Sequence, residues 1–331
     1  MTMETGRSAS QVPGIGLALG GGGARGYAHI GVLKALVSAG IPIDCISGTS
    51  MGAVVGAAYC AGATVDEMVV VAQDVRWMWL LRLADLTTPR RGMIVGRHLE
   101  RYFCELTKGK DFSEFDTNLT VVATDVTTGE EVRLTSGPVW RALHASTAFP
   151  GVFCPVESGI HLLIDGSVTT PVPVAAAVAM GARLTIGVDV SSAVGRMDNP
   201  TGTCEEWFDS ACARNSFLPR NLRLPAIVKS LLPESLAIVG RSIRLSGQDA
   251  HERPDSSVQV WRLRPAVQDM GWYEFRRAKD CIRAGEAAGQ LLVDNLKPVL
   301  SRLGSRLDEP NKADNQSSRA LPTSAREPAS D

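Results

Sequence analysis

Several things are scarce in this 331-residue chain, and each scarcity excludes a class of protein. No sign of charge is in excess: Lys and Arg number 34 and Asp and Glu 35, for a net charge of -1. A general electrostatic affinity for nucleic acid or anionic membrane is therefore not expected. Seven cysteines are scattered singly, with no C-x-x-C pair and an odd count. That argues against a disulfide framework or a zinc site and favours a reducing, cytoplasmic location. No His/Cys/Asp cluster has ligand spacing, so neither metal nor cofactor is expected. Met1 to Val12 carries no apolar run, so no secretory signal is expected. The long uncharged stretch Cys45 to Val65 contains Gly48, Gly52 and Gly56 at the spacing of a transmembrane dimer motif. Gly, Ala, Ser and Thr make it too weakly apolar for insertion, and it predicts a helix buried in a soluble domain. Aromatics make up only 5%, whereas glycine is plentiful at 32 residues, which suggests close packing of helices on a sheet.

The order of elements predicts an α/β fold. Ile15–Leu19 reads as a buried strand, Tyr27–Ala39 as a helix stopped by Gly40, Ile43–Ser47 as a strand and Met51–Ala61 as a helix. Thr64-Val-Asp-Glu67 is a capping box that opens a helix to about Val75. Alternating strands and helices point to a three-layer α/β/α arrangement on a mainly parallel sheet. Further strands are expected at Leu119–Asp125, Glu131–Leu134, Leu162–Ile164, Leu184–Val190 and Val258–Leu263. Helices are expected at Arg97–Leu106, Val139–Ala145, Val174–Met180, about Glu234–Leu245 and Tyr273–Leu296, the last with Gly285 and Gly289 as weak points before Pro298. The chain divides into a flexible leader (1–13), a catalytic core (14–191), an insertion or cover (192–256), a closing strand and helix (257–300) and a disordered tail (301–331).

Two strand-to-helix junctions carry chemistry. Gly21-Gly22-Gly23-Ala24-Arg25-Gly26 matches G-x-G-x-x-G, with Asp44 about 20 residues on, as in a dinucleotide site. Asp44 falls at the start of its strand, however, where a ribose-binding acid belongs at the end. The same glycines could instead converge backbone N–H groups on a tetrahedral oxyanion. The next junction, Gly48-Thr49-Ser50-Met51-Gly52, is G-x-S-x-G between strand and helix. There the flanking glycines permit a sharp turn that lifts a serine hydroxyl clear of the backbone.

A serine nucleophile needs a base. The histidines are His29, His98, His144, His161 and His251, of which only His251 is late enough for the Ser-acid-His order. It sits in a polar, turn-like stretch, and His29 reads as a packed or capping residue. Asp165 ends the apolar run Leu162-Leu163-Ile164 and precedes Gly166, which predicts the carboxyl edge of a parallel sheet. Asp125 and Asp189 are competing acids at or near strand ends. Burial would raise a carboxylate from about 3.9 toward the working range of a base.

Taken in this order, the glycine loop, the serine elbow and Asp165-Gly166-Ser167 resemble the patatin-like phospholipase family. Val121–Glu130, Ala145–Phe153 and Pro171–Val174 resemble its bacterial branch. The resemblance covers residues 14–192 well and 257–297 loosely. It implies a patatin-like fold and a Ser50-Asp165 dyad. It places an oxyanion site on Gly21, Gly22, Gly23, Arg25, Gly26 and Met51, with the Gly22 and Gly23 N–H groups as donors. Gly48 and Gly52 shape the elbow and Gly166 the acid turn. Ser167 departs from the usual Gly or Ala.

The implied activity is hydrolysis of a lipid acyl ester through an acyl-serine. Two other functions fit parts of the same sequence: a dinucleotide-binding oxidoreductase using Gly21–Gly26 and Asp44, and a non-catalytic regulator of the same fold. Arg76-Trp77-Met78-Trp79-Leu80-Leu81-Arg82-Leu83 reads either as a core helix or as a surface for peripheral contact with the inner membrane face.

Overall fold

The computed structural model describes residues 14–74, 95–150, 152–191 and 258–307. The Trp77 and Trp79 patch, His251, the leader and the 192–256 segment lie outside them. The chain divides into two compact units, Met1–Gln290 and Leu291–Asp331. All the chemistry discussed below lies in the first.

Segments buried along nearly their whole length form the inner strands, as expected for strands covered on both faces. These are β1 (Ile15–Leu19), β2 (Cys45–Thr49), β3 (Asn118–Asp125) and β7 (Leu184–Val188). With β4 (Glu131–Leu134), β5 (Val156–Ser158), β6 (His161–Asp165) and β8 (Gln259–Leu263) they make one sheet in the order β5-β6-β3-β2-β1-β7-β8, with β4 also paired to β3. The run from β3 through β2, β1 and β7 to β8 is parallel. β4 and β6 run antiparallel to β3, and β5 antiparallel to β6.

The period-2 alternation of β2 shows how the sheet is covered. On one face Cys45, Ser47 and Thr49 direct their side chains to carbonyls of Ala177, Pro173 and Thr170, in and before α6 (Val174–Ala179). On the other face Ile46 and Gly48 meet α2 (Met51–Cys60) through Gly56 and Ala53. The fold is thus a three-layer α/β/α structure with a mixed, mainly parallel sheet. Its core holds the fully buried Leu17, Leu19, Leu33, Leu36, Ile46, Leu143, Leu163, Ile164 and Ile186.

Four further helices are α1 (Ala28–Ser38), α3 (Val65–Asp74), α4 (Arg97–Leu106) and α5 (Val139–Thr147). The Thr64–Glu67 capping box is present, with Glu67 N–H donating to Thr64 Oγ1 at 3.2 Å and Thr64 N–H to Glu67 Oε2 at 2.8 Å. The stretch Cys45–Val65 is β2, the elbow, buried α2 and the start of α3. No helix among the described residues is long and apolar enough to cross a membrane.

The closing helix, α7 (Ala278–Leu307), differs from expectation at both ends. A 3-10 turn at Phe275–Arg277 precedes it, and it runs on through Pro298, because one missing donor interrupts the hydrogen-bond ladder without ending it. Gly285 and Gly289 are contact points and not weak ones. A Cβ on Gly285 would lie 1.9 Å from the Ala28 carbonyl oxygen, and one on Gly31 2.0 Å from that of Ile282. Small residues let the two helix backbones approach.

Candidate active site

Strand register brings the candidate residues together. Thr49 pairs with Val122, and the next β3 residue, Ala123, pairs with Asp165. Ser50, one step past Thr49, is therefore level with Asp165, which lies 115 positions later in the chain. β6 runs antiparallel to β3. Asp165 does not sit at the carboxyl edge of a parallel strand, as its sequence context suggests, but at the inner end of a strand entering from that edge.

Ser50 takes φ 51° and ψ -123°, a conformation that a non-glycine residue holds only under constraint. The constraint is visible. The Ser50 N–H donates to Ser146 Oγ at 2.9 Å, and the fully buried Ser146 hydroxyl donates to the Val122 carbonyl at 2.6 Å. Gly48 and Gly52 leave room for the turn, since a Cβ on them would lie 2.5 Å from Ala53 Cα and 2.2 Å from the Leu19 carbonyl oxygen. The hydroxyl of Ser50 donates to Asp165 Oδ2 at 2.7 Å.

Asp165 is 2% exposed. Its Oδ1 accepts from the Ser167 N–H at 2.8 Å, and its own N–H donates to the Ala148 carbonyl at 3.0 Å. Thr124 Oγ1 donates to its carbonyl at 3.1 Å. A Cβ on Gly166 would stand 2.3 Å from the Val122 carbonyl oxygen, so the acid turn fits only a glycine there. Burial raises the Asp165 pKa above the ordinary carboxylate value, and hydrogen bonds from Ser50 and from the Ser167 amide and hydroxyl pull it partly back. The result is a carboxylate shifted in the direction a general base needs.

The glycine loop lies against this pair. A Cβ on Gly21 would meet Ser167 Oγ at 2.0 Å and Ser50 Cβ at 3.3 Å. The Gly21 N–H donates to the Pro171 carbonyl at 2.9 Å, so Gly21 borders the site without offering it a donor. The amides of Gly22 and Gly23 have no hydrogen-bond partner among the described residues. Gly23 holds φ +57°, open to glycine, with the Trp272 carbonyl against its Cα. The Arg25 side chain donates from Nε to the Gly22 carbonyl at 3.4 Å. In a trans peptide this turns the Gly23 N–H the opposite way. Burial lowers the Arg25 pKa, against coulombic effects of Cys281 and Asp189 that raise it. Gly26 packs on the Met51 side chain, joining the loop to the elbow helix.

The remaining candidates are occupied elsewhere. Asp44 Oδ2 accepts from the Gly14 and Ile15 N–H groups at 3.0 and 2.8 Å, at the amino end of β1 and opposite the glycine loop. The dinucleotide reading therefore loses its ribose-binding acid. Asp125 is held by His161 at 2.6 Å, which lowers its pKa, and Asp189 accepts from Ser191 and Arg264. His144 pairs with Glu100 at 2.9 Å. His29 is fully buried, with its Nε2–H donating to the Gly20 carbonyl at 2.7 Å, and burial takes its pKa down to about 4. It supports the loop in the neutral form. Among the described residues, no group of three or more His, Cys, Asp or Glu is placed to hold a metal ion.

Sequence reasoning missed Ser146, Thr124 and Trp272. Ser146 lies in the quoted segment Ala145–Phe153, but nothing in that segment says that its hydroxyl reaches the elbow.

Residues 17–178 match the family model described as patatin-like phospholipase. A Mycobacterium tuberculosis (strain H37Rv) protein named as an uncharacterized NTE family protein is 36% identical over 211 residues, covering 63% of this chain and 58% of that protein. Lysophospholipase NTE1 of Coccidioides immitis is 31% identical over 287 residues, covering 86% of this chain and 18% of that protein. Neuropathy target esterase sws of Drosophila melanogaster is 35% identical over 186 residues, covering 54% of this chain and 13% of that protein. The chain thus spans little more than half of the mycobacterial relative and less than a fifth of the other two. On its matched segment and its relatives, the chain belongs to the patatin-like phospholipase family.

Proposed function

We propose that this chain is a serine acyl hydrolase that cleaves a fatty-acyl ester of a lipid through Ser50 and Asp165. The observation that carries the reading is the 2.7 Å hydrogen bond from a serine at φ 51° to a buried carboxylate. Ser50 Oγ attacks the ester carbonyl carbon while its proton passes to Asp165 Oδ2. The developing oxyanion accepts hydrogen bonds from the Gly22 and Gly23 N–H groups. The intermediate collapses, the C–O bond to the alcohol breaks, and Asp165 returns the proton to the leaving oxygen. Water then gives a proton to Asp165 and attacks the acyl-Ser50 carbonyl. Loss of the fatty acid restores the serine hydroxyl with that proton.

The burial of Asp165 supports its role as base, and the name of the fungal relative supports a lipid ester as the substrate class. The test is turnover of p-nitrophenyl octanoate and of a lysophospholipid by wild type and Ser50→Ala. A loss on the order of a thousandfold or more is expected for the variant, as for removal of other serine nucleophiles. Undiminished turnover in Ser50→Ala would falsify the proposal.

A further inference from the structure

Two aromatic rings, carried by backbone segments tied to the acid arm and to the glycine loop, stack on each other without a role in the reaction just derived. Phe149 and Trp272 lie with centroids 5.8 Å apart and planes at 26°. They are 41% and 49% exposed, which is unusual for large apolar rings in a chain where aromatics are scarce. They come from opposite arms of the site. Phe149 follows Ala148, whose carbonyl accepts the Asp165 N–H. The Trp272 carbonyl accepts the Ala24 N–H at 2.7 Å and packs on Gly23. A closed circuit of contacts results, from Ser50 to Gly21, along the loop to Gly23, across to Trp272, through the stacked rings to Phe149, then by Ala148 to Asp165 and back to Ser50.

We infer that the stacked Phe149–Trp272 pair is the apolar contact for the acyl chain next to its reacting carbonyl, and that it sets chain-length preference. The inference rests on the hydrolase reading. A fatty-acyl ester whose carbonyl meets Ser50 must lay its methylenes on something apolar close by. The pair is half open to solvent and reached from both the acid arm and the oxyanion arm. An aromatic face gives a methylene chain contact area with little side-chain entropy to lose. Tyr273 packs edge-on against Trp272 with centroids 5.8 Å apart.

The experiment compares kcat/KM for p-nitrophenyl octanoate and p-nitrophenyl acetate in wild type, Trp272→Ala, Phe149→Ala and the conservative Trp272→Phe and Phe149→Leu. The bond from Trp272 to Ala24 uses main-chain atoms, so every variant can keep it. The octanoate-to-acetate ratio is expected to fall by about tenfold in the alanine variants and to recover in the conservative ones, the scale of a small change in apolar contact. Acetate turnover should fall less than octanoate turnover, because acetate has no chain to lay on the rings. An unchanged ratio, or equal losses on both esters, would overturn the inference while leaving the hydrolase reading intact. Absence of wild-type turnover on both esters would overturn the hydrolase reading and this subsite with it.

Discussion

Replacing Ser146 with alanine tests how the elbow is held. The substitution leaves Ser50, Asp165 and the glycine loop chemically intact. It removes the acceptor for the partly buried Ser50 N–H and the donor to the buried Val122 carbonyl. Each buried polar group left without a partner costs about 1–3 kcal/mol. Alanine returns about 0.5 kcal/mol through its higher helix propensity. The net loss of stability is therefore roughly 1.5–5.5 kcal/mol, and at about 2 °C per kcal/mol for a domain of this size the melting temperature should fall by roughly 3–11 °C. The catalytic effect should be larger than this suggests. A serine with positive φ holds on the order of 1–3 kcal/mol of strain, which the Ser146 tie sustains. Without the tie Ser50 relaxes, and a displacement of its oxygen by about 1 Å costs about a hundredfold in rate. Thermal melts and kcat/KM on a soluble butyrate ester measure both effects. A variant with wild-type rate and melting temperature would refute the view that the elbow is strained and tethered.

Two further outcomes follow from the same geometry. Ser50→Gly and Ser50→Ala both remove the hydroxyl, but only glycine accepts φ 51° and ψ -123° without strain. The glycine variant should be the more stable of two inactive proteins by about 1 kcal/mol, and denaturant titration showing alanine ahead would contradict this. The second concerns pH. Asp165 acts only as the carboxylate, and burial raises its pKa, so kcat/KM should fall as pH drops through a value above the ordinary carboxylate range. Ser167→Ala removes a hydroxyl that favours the ionised form, so the acidic limb should move to still higher pH. A limb that stays put or moves down in that variant would show that Ser167 does not act on the base.

What could be read from the sequence was local. The elbow was legible because G-x-S-x-G between a strand and a helix encodes its own sterics: Gly48 and Gly52 sit where a Cβ would strike backbone. Asp165 was legible as a residue at a strand end, but not the direction of its strand, since Leu162-Leu163-Ile164 reads alike whichever way it runs. Its meeting with Ser50 depends on the registers of β2, β3 and β6, which are properties of the sheet. β5 escaped notice because Val156-Glu157-Ser158 is too short to show alternation. Gly285 and Gly289 read as helix weaknesses because propensity is local, whereas their use is contact with α1. The support given by Ser146 and Trp272 to the two loops is tertiary in the same sense.

The most direct measurement is covalent labelling of the intact protein with a fluorophosphonate, read by mass spectrometry of the modified peptide. Stoichiometric phosphonylation at Ser50 is expected, with labelling slowed by about a hundredfold or more in Asp165→Asn. Modification at another serine, or equal labelling rates in both proteins, would contradict a Ser50 nucleophile activated by Asp165.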